Sequence, residues 1–146
     1  MIFTIPEISL IIHVQIINYQ QHISPSDTIH TIHDAAVDLA TGGNTTIIND
    51  YAYNGAFVDI YFRPREHACG TITYWEAGAV FQGLERFVRY EILYRPLAIQ
   101  VVRNEVGTVA EGAVFLGPRE EVEKSLRGSG EREDCTGGMR DSRITS

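Results

Sequence analysis

The spacing of apolar and polar residues predicts two helices, of which the longer covers residues 73–94. Its apolar positions recur every three or four residues, which is the period of one helix face. They are Trp75, Ala79, Val80, Leu84, Phe87 and Val88. Thr73 and Glu76 have the spacing of a capping box, in which each side chain accepts the other's free backbone N–H. Pro96 is expected to stop the helix, because a proline disfavours helical backbone at the preceding residue.

A shorter helix is predicted between the Ser-Pro-Ser-Asp segment at residues 24–27 and the glycine pair at residues 42–43. Ser26 or Asp27 is expected to cap its first turn. The apolar positions again follow the helical period: Ile29, Ile32, Ala36, Leu39 and Ala40. The glycine pair is a typical helix end.

Strict alternation of apolar and polar residues predicts a strand over residues 8–17. Its even-numbered residues are all apolar, whereas His13 and Gln15 face the other side. Ile11 and Ile17 interrupt that polar side. Two interpretations follow: the strand is covered on both faces, or the segment is a poorly integrated extension of the domain.

Two hairpins complete the predicted elements. Asn54-Gly55, a typical hairpin turn, joins a short strand with Tyr51 and Tyr53 to a second strand. On the second strand, Val58, Ile60 and Phe62 alternate with Phe57, Asp59 and Tyr61. The other hairpin joins residues 97–102 to residues 108–116. In its return strand Val109, Ala113 and Phe115 are expected to share one face, and Gly112 indicates a bulge or a close backbone approach.

The order of these elements favours an α+β fold, with a mostly antiparallel sheet of about five strands and two helices packed on one face. Residues 1–118 are expected to form a single domain. Residues 119–146 lack aromatic side chains and are rich in Gly, Ser, Arg and Glu. Such a composition cannot bury enough apolar surface to offset the entropy of ordering, so a disordered tail is predicted.

The overall charge narrows the range of partners. A formal net charge of -7, from 12 basic and 19 acidic residues, argues against nucleic acid. No phosphate loop or other cofactor motif is present in the sequence. The apolar run near the N-terminus is too short and polar for a membrane span and lacks the basic start of a signal peptide. The sequence leaves secretion open. The glycosylation acceptor pattern at Asn44 is relevant only if the protein is secreted.

Two groups of residues could carry chemistry, and each has an ordinary alternative. His30 and His33 lie on one helix face beside Asp34 and could bind a metal if His13 or His67 supplied a third ligand. A polar helix surface explains the same pattern. Cys69 with His67, just before the longer helix, could form a nucleophile and base of a small hydrolase. A loop cysteine without catalytic function is the favoured explanation of that pattern.

Tyr51, Tyr53 and Tyr61 are the predicted binding residues, because tyrosines on strand surfaces offer large contact areas at low entropic cost. Trp75 is assigned to core packing instead. The favoured function is a non-catalytic binding or protein-interaction domain for a protein or carbohydrate ligand. A homodimer through an edge strand is a further expectation. The alternative is the hydrolase or metal enzyme described above.

The segments TYWEAGAVFQGLERFVRYEI and LAIQVVRNEVGTVAEGAVFLG resemble a layout found in small uncharacterised proteins of filamentous fungi. The resemblance covers residues 73–116, about a third of the chain. It implies a helix that begins at a Thr-Trp-type sequence and is followed by a hairpin whose turn contains glycine. It also implies a fungal origin and, for many such proteins, secretion, but it implies no activity.

Overall fold

A six-stranded antiparallel sheet carries two helices on one of its faces in the computed structural model, which describes residues 1–43, 45–65 and 70–116. The α+β prediction with helices on one face is therefore confirmed. In chain order the elements are β1 (Ile2–Ile5), β2 (Leu10–Ile16), α1 (Pro25–Ala40), β3 (Tyr51–Asn54), β4 (Asp59–Pro64), α2 (Tyr74–Glu91), β5 (Leu97–Arg103) and β6 (Gly107–Phe115). The tail predicted over residues 119–146 lies outside the described residues.

Three hairpins, separated by the helices, supply the sheet in the order β1-β2-β5-β6-β4-β3. The sequence pattern missed β1, because three of its four residues are apolar and no alternation is visible. β2 lies between β1 and β5, and its Leu10, Ile12 and Val14 are buried. The strand predicted over residues 8–17 is thus an integral part of the sheet, and its interpretation as a loose extension is wrong.

The helix ends follow local capping chemistry. The capping box of α2 is confirmed: Thr73 Oγ1 accepts from Glu76 N at 3.2 Å, and Glu76 Oε1 accepts from Thr73 N at 3.1 Å. The helix ends in a left-handed residue, Ile92, with φ of 57°, four residues before Pro96. At α1 the N-cap residue is Ser24, whose Oγ accepts a hydrogen bond from the N–H of Asp27 at 3.4 Å. The predicted caps, Ser26 and Asp27, do not fill this role.

The core lies between the helices and the inner face of the sheet. Phe62 of β4 meets Phe81 of α2 edge to face, with ring centroids 5.3 Å apart. Ile60, Ile99 and the inward residues of β2 surround this contact and are almost fully buried. In the part of the chain that the structure describes, no helix is long and apolar enough to cross a bilayer.

The opposite, outer face of the sheet buries a smaller group formed by Tyr61, Ala113 and Phe115. A register shift in the β5–β6 ladder, between Val101 and Val102, explains one difference from the predicted faces. Because of this shift Val109 packs in the helix-side core instead of sharing the outer face with Ala113 and Phe115.

Gly112 of β6 confirms the predicted close approach. A Cβ added there would lie 2.7 Å from the Phe62 ring and 2.8 Å from the Tyr61 carbonyl oxygen. The bulge that was the other interpretation of this glycine occurs elsewhere in the strand, at the register shift.

The two helices come into close backbone contact at Gly78. A Cβ on this residue would lie 2.9 Å from Ala40 N and 3.0 Å from Ala36 O, both of which are backbone atoms of α1. Backbone atoms cannot rotate away as a side chain can. The absence of a side chain at Gly78 therefore sets the distance between the helices.

Gly78→Ala is expected to destabilise the fold, because the new methyl group forces the helices apart. Overpacking of this kind costs about 1–3 kcal/mol, which outweighs the roughly 1 kcal/mol that alanine gains over glycine in a helix. Unfolding free energies from urea titration measure the effect.

Gly83→Ala is the matched control, since Gly83 lies in the same helix and a Cβ there would meet side-chain atoms only, Phe3 Cε1 at 2.8 Å and Ile5 Cδ1 at 3.6 Å. A side-chain tip can move, so this variant should match or exceed the stability of the wild type. If Gly78→Ala is as stable as Gly83→Ala, the tight helix contact does not govern the packing.

Candidate functional site

The three tyrosines predicted to bind a ligand do not form one surface. Tyr51 and Tyr53 lie on the inner side of β3 and reach α1, where their hydroxyls donate to Asp38 Oδ2 at 2.8 Å and to Asp34 Oδ2 at 3.4 Å. Tyr61 lies on the outer face and is only 2% exposed. The expectation that Tyr61 is a surface residue is therefore wrong, and the other two are half-buried.

The environment of the first two tyrosines changes their acidity. Burial, together with the hydrogen bond to Asp38 and the charge of that carboxylate, raises the pKa of Tyr51 far above its ordinary value. Burial and the nearby Asp34 raise the pKa of Tyr53 in the same direction. These hydroxyls therefore act as structural donors between β3 and α1.

The two histidines of α1 point to different partners. His30 Nε2 lies 3.4 Å from Asp34 Oδ2 on the same helix, whereas His33 Nδ1 lies 3.1 Å from Glu85 Oε1 of α2. Among residues 1–43, 45–65 and 70–116, no three His, Cys, Asp or Glu side chains are grouped closely enough to hold a metal ion. The hydrolase candidates Cys69 and His67, like Asn44, lie outside the described residues.

A groove runs between α1 and α2 on their outer side, away from the sheet. Its volume is about 360 Å³, and we call it the helix furrow. It is lined by His33, Ala36, Val37 and Ala40 of α1 and by Trp75, Gly78, Ala79, Gln82, Glu85 and Arg86 of α2. An adjoining depression of about 540 Å³ shares His33 and Glu85 with it and extends toward Tyr94.

Trp75 forms one end of the helix furrow and is 46% exposed, so its assignment to core packing is wrong. Val37 of α1 is 54% exposed and belongs to the same lining. The side of α2 that packs on the sheet is instead formed by residues such as Val80, Phe81 and Leu84. Successive helix residues are rotated by about 100°, and this rotation places Trp75 on a different face of α2 from that stripe.

A chain of polar contacts spans the helix furrow. His33 contacts one oxygen of Glu85, and the other oxygen accepts from Arg89 at 3.2 Å. The Glu85 side chain is 17% exposed, whereas His33 and Arg89 are about 60% exposed. The carboxylate is thus engaged from both sides and links the two helices across the groove.

The lining of the helix furrow suits binding better than hydrolysis. Small residues form its floor, Trp75 and Val37 supply apolar contact area, and Arg86 adds a positive charge. None of its lining residues carries a hydroxyl or a thiol, and both oxygens of its carboxylate, Glu85, already have partners. Its only imidazole is hydrogen-bonded to Glu85.

Sequence reasoning missed this site, although a signal was present. The lining positions of α1 are spaced i, i+3, i+4 and i+7, and those of α2 recur at i, i+4, i+7 and i+11 from Trp75. Trp75 and Ala79 were predicted to belong to the core stripe, so this second stripe was not distinguished as a separate surface. Comparison of the chain with protein-family models, curated proteins and solved structures found no match.

Tyr51→Phe is expected to change how stability depends on alkaline pH. Because folding raises the pKa of Tyr51, its contribution to stability is fully present below pH 10 and is lost as the pH rises beyond that value. Between pH 9 and pH 11 the stability difference between wild type and variant should fall by about 1 kcal/mol, as expected for a partly exposed group. Urea unfolding across this range measures it.

Tyr90→Phe provides the control for this comparison, since the ring is 84% exposed. This variant should follow the wild type at each pH. A difference between wild type and Tyr51→Phe that stays constant from pH 9 to pH 11 would contradict the structural role assigned to the Tyr51 hydroxyl.

Proposed function

We propose that the chain is a non-catalytic protein-interaction domain that binds an amphipathic helix of a partner protein in the helix furrow. The observation that carries the proposal is the exposure of Trp75 and Val37 over a floor of small residues. Exposed tryptophan and arginine side chains are the residues that most often dominate protein–protein binding energy.

The shape of the helix furrow favours a helical ligand. It lies along the facing parts of α1 and α2. Its lining covers residues 33–40 of α1, about two turns, and residues 75–86 of α2, about three turns. Packed helices need interaxial distances of about 8–10 Å, which small residues permit. Ala36, Ala40 and Ala79 on the floor leave room for apolar side chains of a third helix. Helix-in-groove recognition uses such anchors at helical spacing.

The charged groups along the helix furrow suggest the polarity of the partner. The carboxylate of Glu85 already has two partners, whereas Arg86 makes no ion pair within the described residues. Arg86 is therefore placed to meet an acidic side chain at the edge of the bound helix. An apolar stripe flanked by a carboxylate is the proposed recognition pattern.

The other expectations about partners stay predictions. A homodimer through an edge strand would use β1 or β3, which are the two ends of the sheet. Each of these strands has only four residues. Light scattering coupled to size exclusion would test it. Fungal origin and secretion rest on the resemblance of residues 73–116 alone.

A display library of helical peptides about 16 residues long tests the proposed function, because this length covers the roughly three turns of α2 that line the helix furrow. Peptides selected on the wild-type protein should carry an apolar stripe with an acidic flank. Binding should shift the emission of Trp75 to shorter wavelength, since it is the single tryptophan of the chain. Val37→Glu places a carboxylate among the apolar lining and should weaken binding by roughly tenfold or more.

Phe57→Glu is the matched control, because Phe57 is another exposed apolar residue, at 69%, and lies outside the helix furrow. It should bind the selected peptides as the wild type does. The proposal is refuted if Val37→Glu binds them equally well, if their binding leaves the Trp75 emission unchanged, or if no helical peptide is selected.

A further inference from the structure

A row of polar side chains crosses the outer face of the sheet, on the side opposite the helix furrow. The strand register pairs His13 of β2 with Gln100 of β5, Gln100 with Glu111 of β6, and Glu111 with Arg63 of β4. Four neighbouring strands thus contribute one polar residue each at the same level of the sheet. Cross-strand partners lie about 4.5–5.5 Å apart, so these side chains are direct neighbours.

One end of this polar row is a buried ion pair. Both Nε and a terminal nitrogen of Arg63 donate to the same carboxylate oxygen of Glu111, Oε2, at 2.9 and 2.5 Å. The Glu111 side chain is 6% exposed. The Arg63 guanidinium also lies 6.0 Å from the centre of the Tyr61 ring. Removing both charges from water is costly. We therefore attribute the pair to a binding site on this face and not to a contribution to folding stability.

A pocket of about 370 Å³ lies over the other end of the polar row. Its polar lining is formed by His13, Gln15, Gln100 and Glu111, and Ala98 contributes a small apolar surface. The small alanine leaves space above the sheet for a ligand. The pocket size falls in the range of small-molecule sites, at its lower end.

The polar groups around this pocket have unused hydrogen-bonding capacity. Within the described part of the chain, no residue donates to Glu111 Oε1, because Arg63 uses only Oε2. The side chains of His13, Gln15 and Gln100 make no hydrogen bond there either. Two amides, an imidazole and a carboxylate oxygen therefore converge on one pocket with their donors and acceptors available.

The charges favour an uncharged ligand. Arg63 compensates the negative charge of Glu111, so the pocket does not call for a cation. Glu111 Oε1, which accepts no hydrogen bond from the described residues, disfavours an anion. Met1 also lines the pocket, and its amino group already donates to the Val14 carbonyl oxygen at 3.1 Å. Amide and carboxylate groups together suit hydroxyls, which both donate and accept hydrogen bonds. A mono- or disaccharide has the matching size and a high density of hydroxyls.

From this geometry we infer that the outer face of the sheet binds an uncharged, polyhydroxylated small molecule of the size of a mono- or disaccharide. Gln100 and Glu111 supply the central hydrogen bonds, and His13 and Gln15 supply those at the rim. The site is separate from the helix furrow, so an experiment can refute one of the two proposals without refuting the other.

Titration of the isotope-labelled protein with a panel of neutral mono- and disaccharides, followed by NMR, tests the inference. At least one sugar should produce saturable shifts at the backbone amides of His13, Gln15, Gln100 and Glu111. Gln100→Leu has nearly the same side-chain size and should lower the affinity by roughly tenfold or more, because it leaves the ligand's hydroxyls unpaired.

Gln20→Leu is the matched control, because Gln20 is exposed and lines neither this pocket nor the helix furrow. This variant should bind the sugar like the wild type. Three results would each overturn the inference. The first is the absence of a saturable shift at sugar concentrations up to about 50 mM, the weak end of specific binding. The second is a set of shifts that map to the helices, and the third is equal affinity for Gln100→Leu and Gln20→Leu.

Discussion

The close contact of α1 and α2 at Gly78 is the constraint on which the arrangement of the helix layer depends. The backbone of α1 passes so near that a single methyl group would collide with Ala36 and Ala40. Two helices held this closely present a continuous apolar surface to the sheet, where Phe62 and Phe81 interlock. On their outer side, the same contact leaves a shallow groove floored by small residues. Core packing and the proposed binding surface therefore share one cause.

The sheet divides the molecule into two environments with different chemistry. Its inner face is apolar and covered by the helices, as expected for an α+β domain. Its outer face combines an apolar group around Tyr61 and Phe115 with a polar row that ends in a buried ion pair. Glu111 is the one charged residue of β6, so its burial requires a partner, and the register supplies Arg63 directly opposite.

The two proposed sites differ in what they select. The helix furrow offers apolar area around one exposed tryptophan, which suits a macromolecular partner with a matching stripe. The pocket on the outer face offers convergent hydrogen-bonding groups beside a smaller apolar area, which suits a small polar molecule. Because the two proposed sites lie on opposite sides of the sheet, occupation of one would not block the other.

The sequence by itself determined most of the elements, because helix periods, strand alternation and capping depend on residues close along the chain. Both helices, the hairpin near Asn54-Gly55 and the Thr73–Glu76 capping box could all be predicted in this way. The turn of that hairpin differs from the prediction, because Asn54 still pairs with Asp59 and residues 55–58 form the loop. A lone charged residue in a mostly apolar strand, Glu111, is also visible in the sequence, but its burial is not.

Only the tertiary structure decided which faces were covered. Trp75 is exposed, Tyr61 is buried, and Val109 turns to the helix side. Periodicity shows which residues share a face, but the burial of that face depends on partners distant in sequence. The shift between β5 and β6, the pairing of β1 with β2 and the meeting of His13, Gln100, Glu111 and Arg63 are such distant contacts.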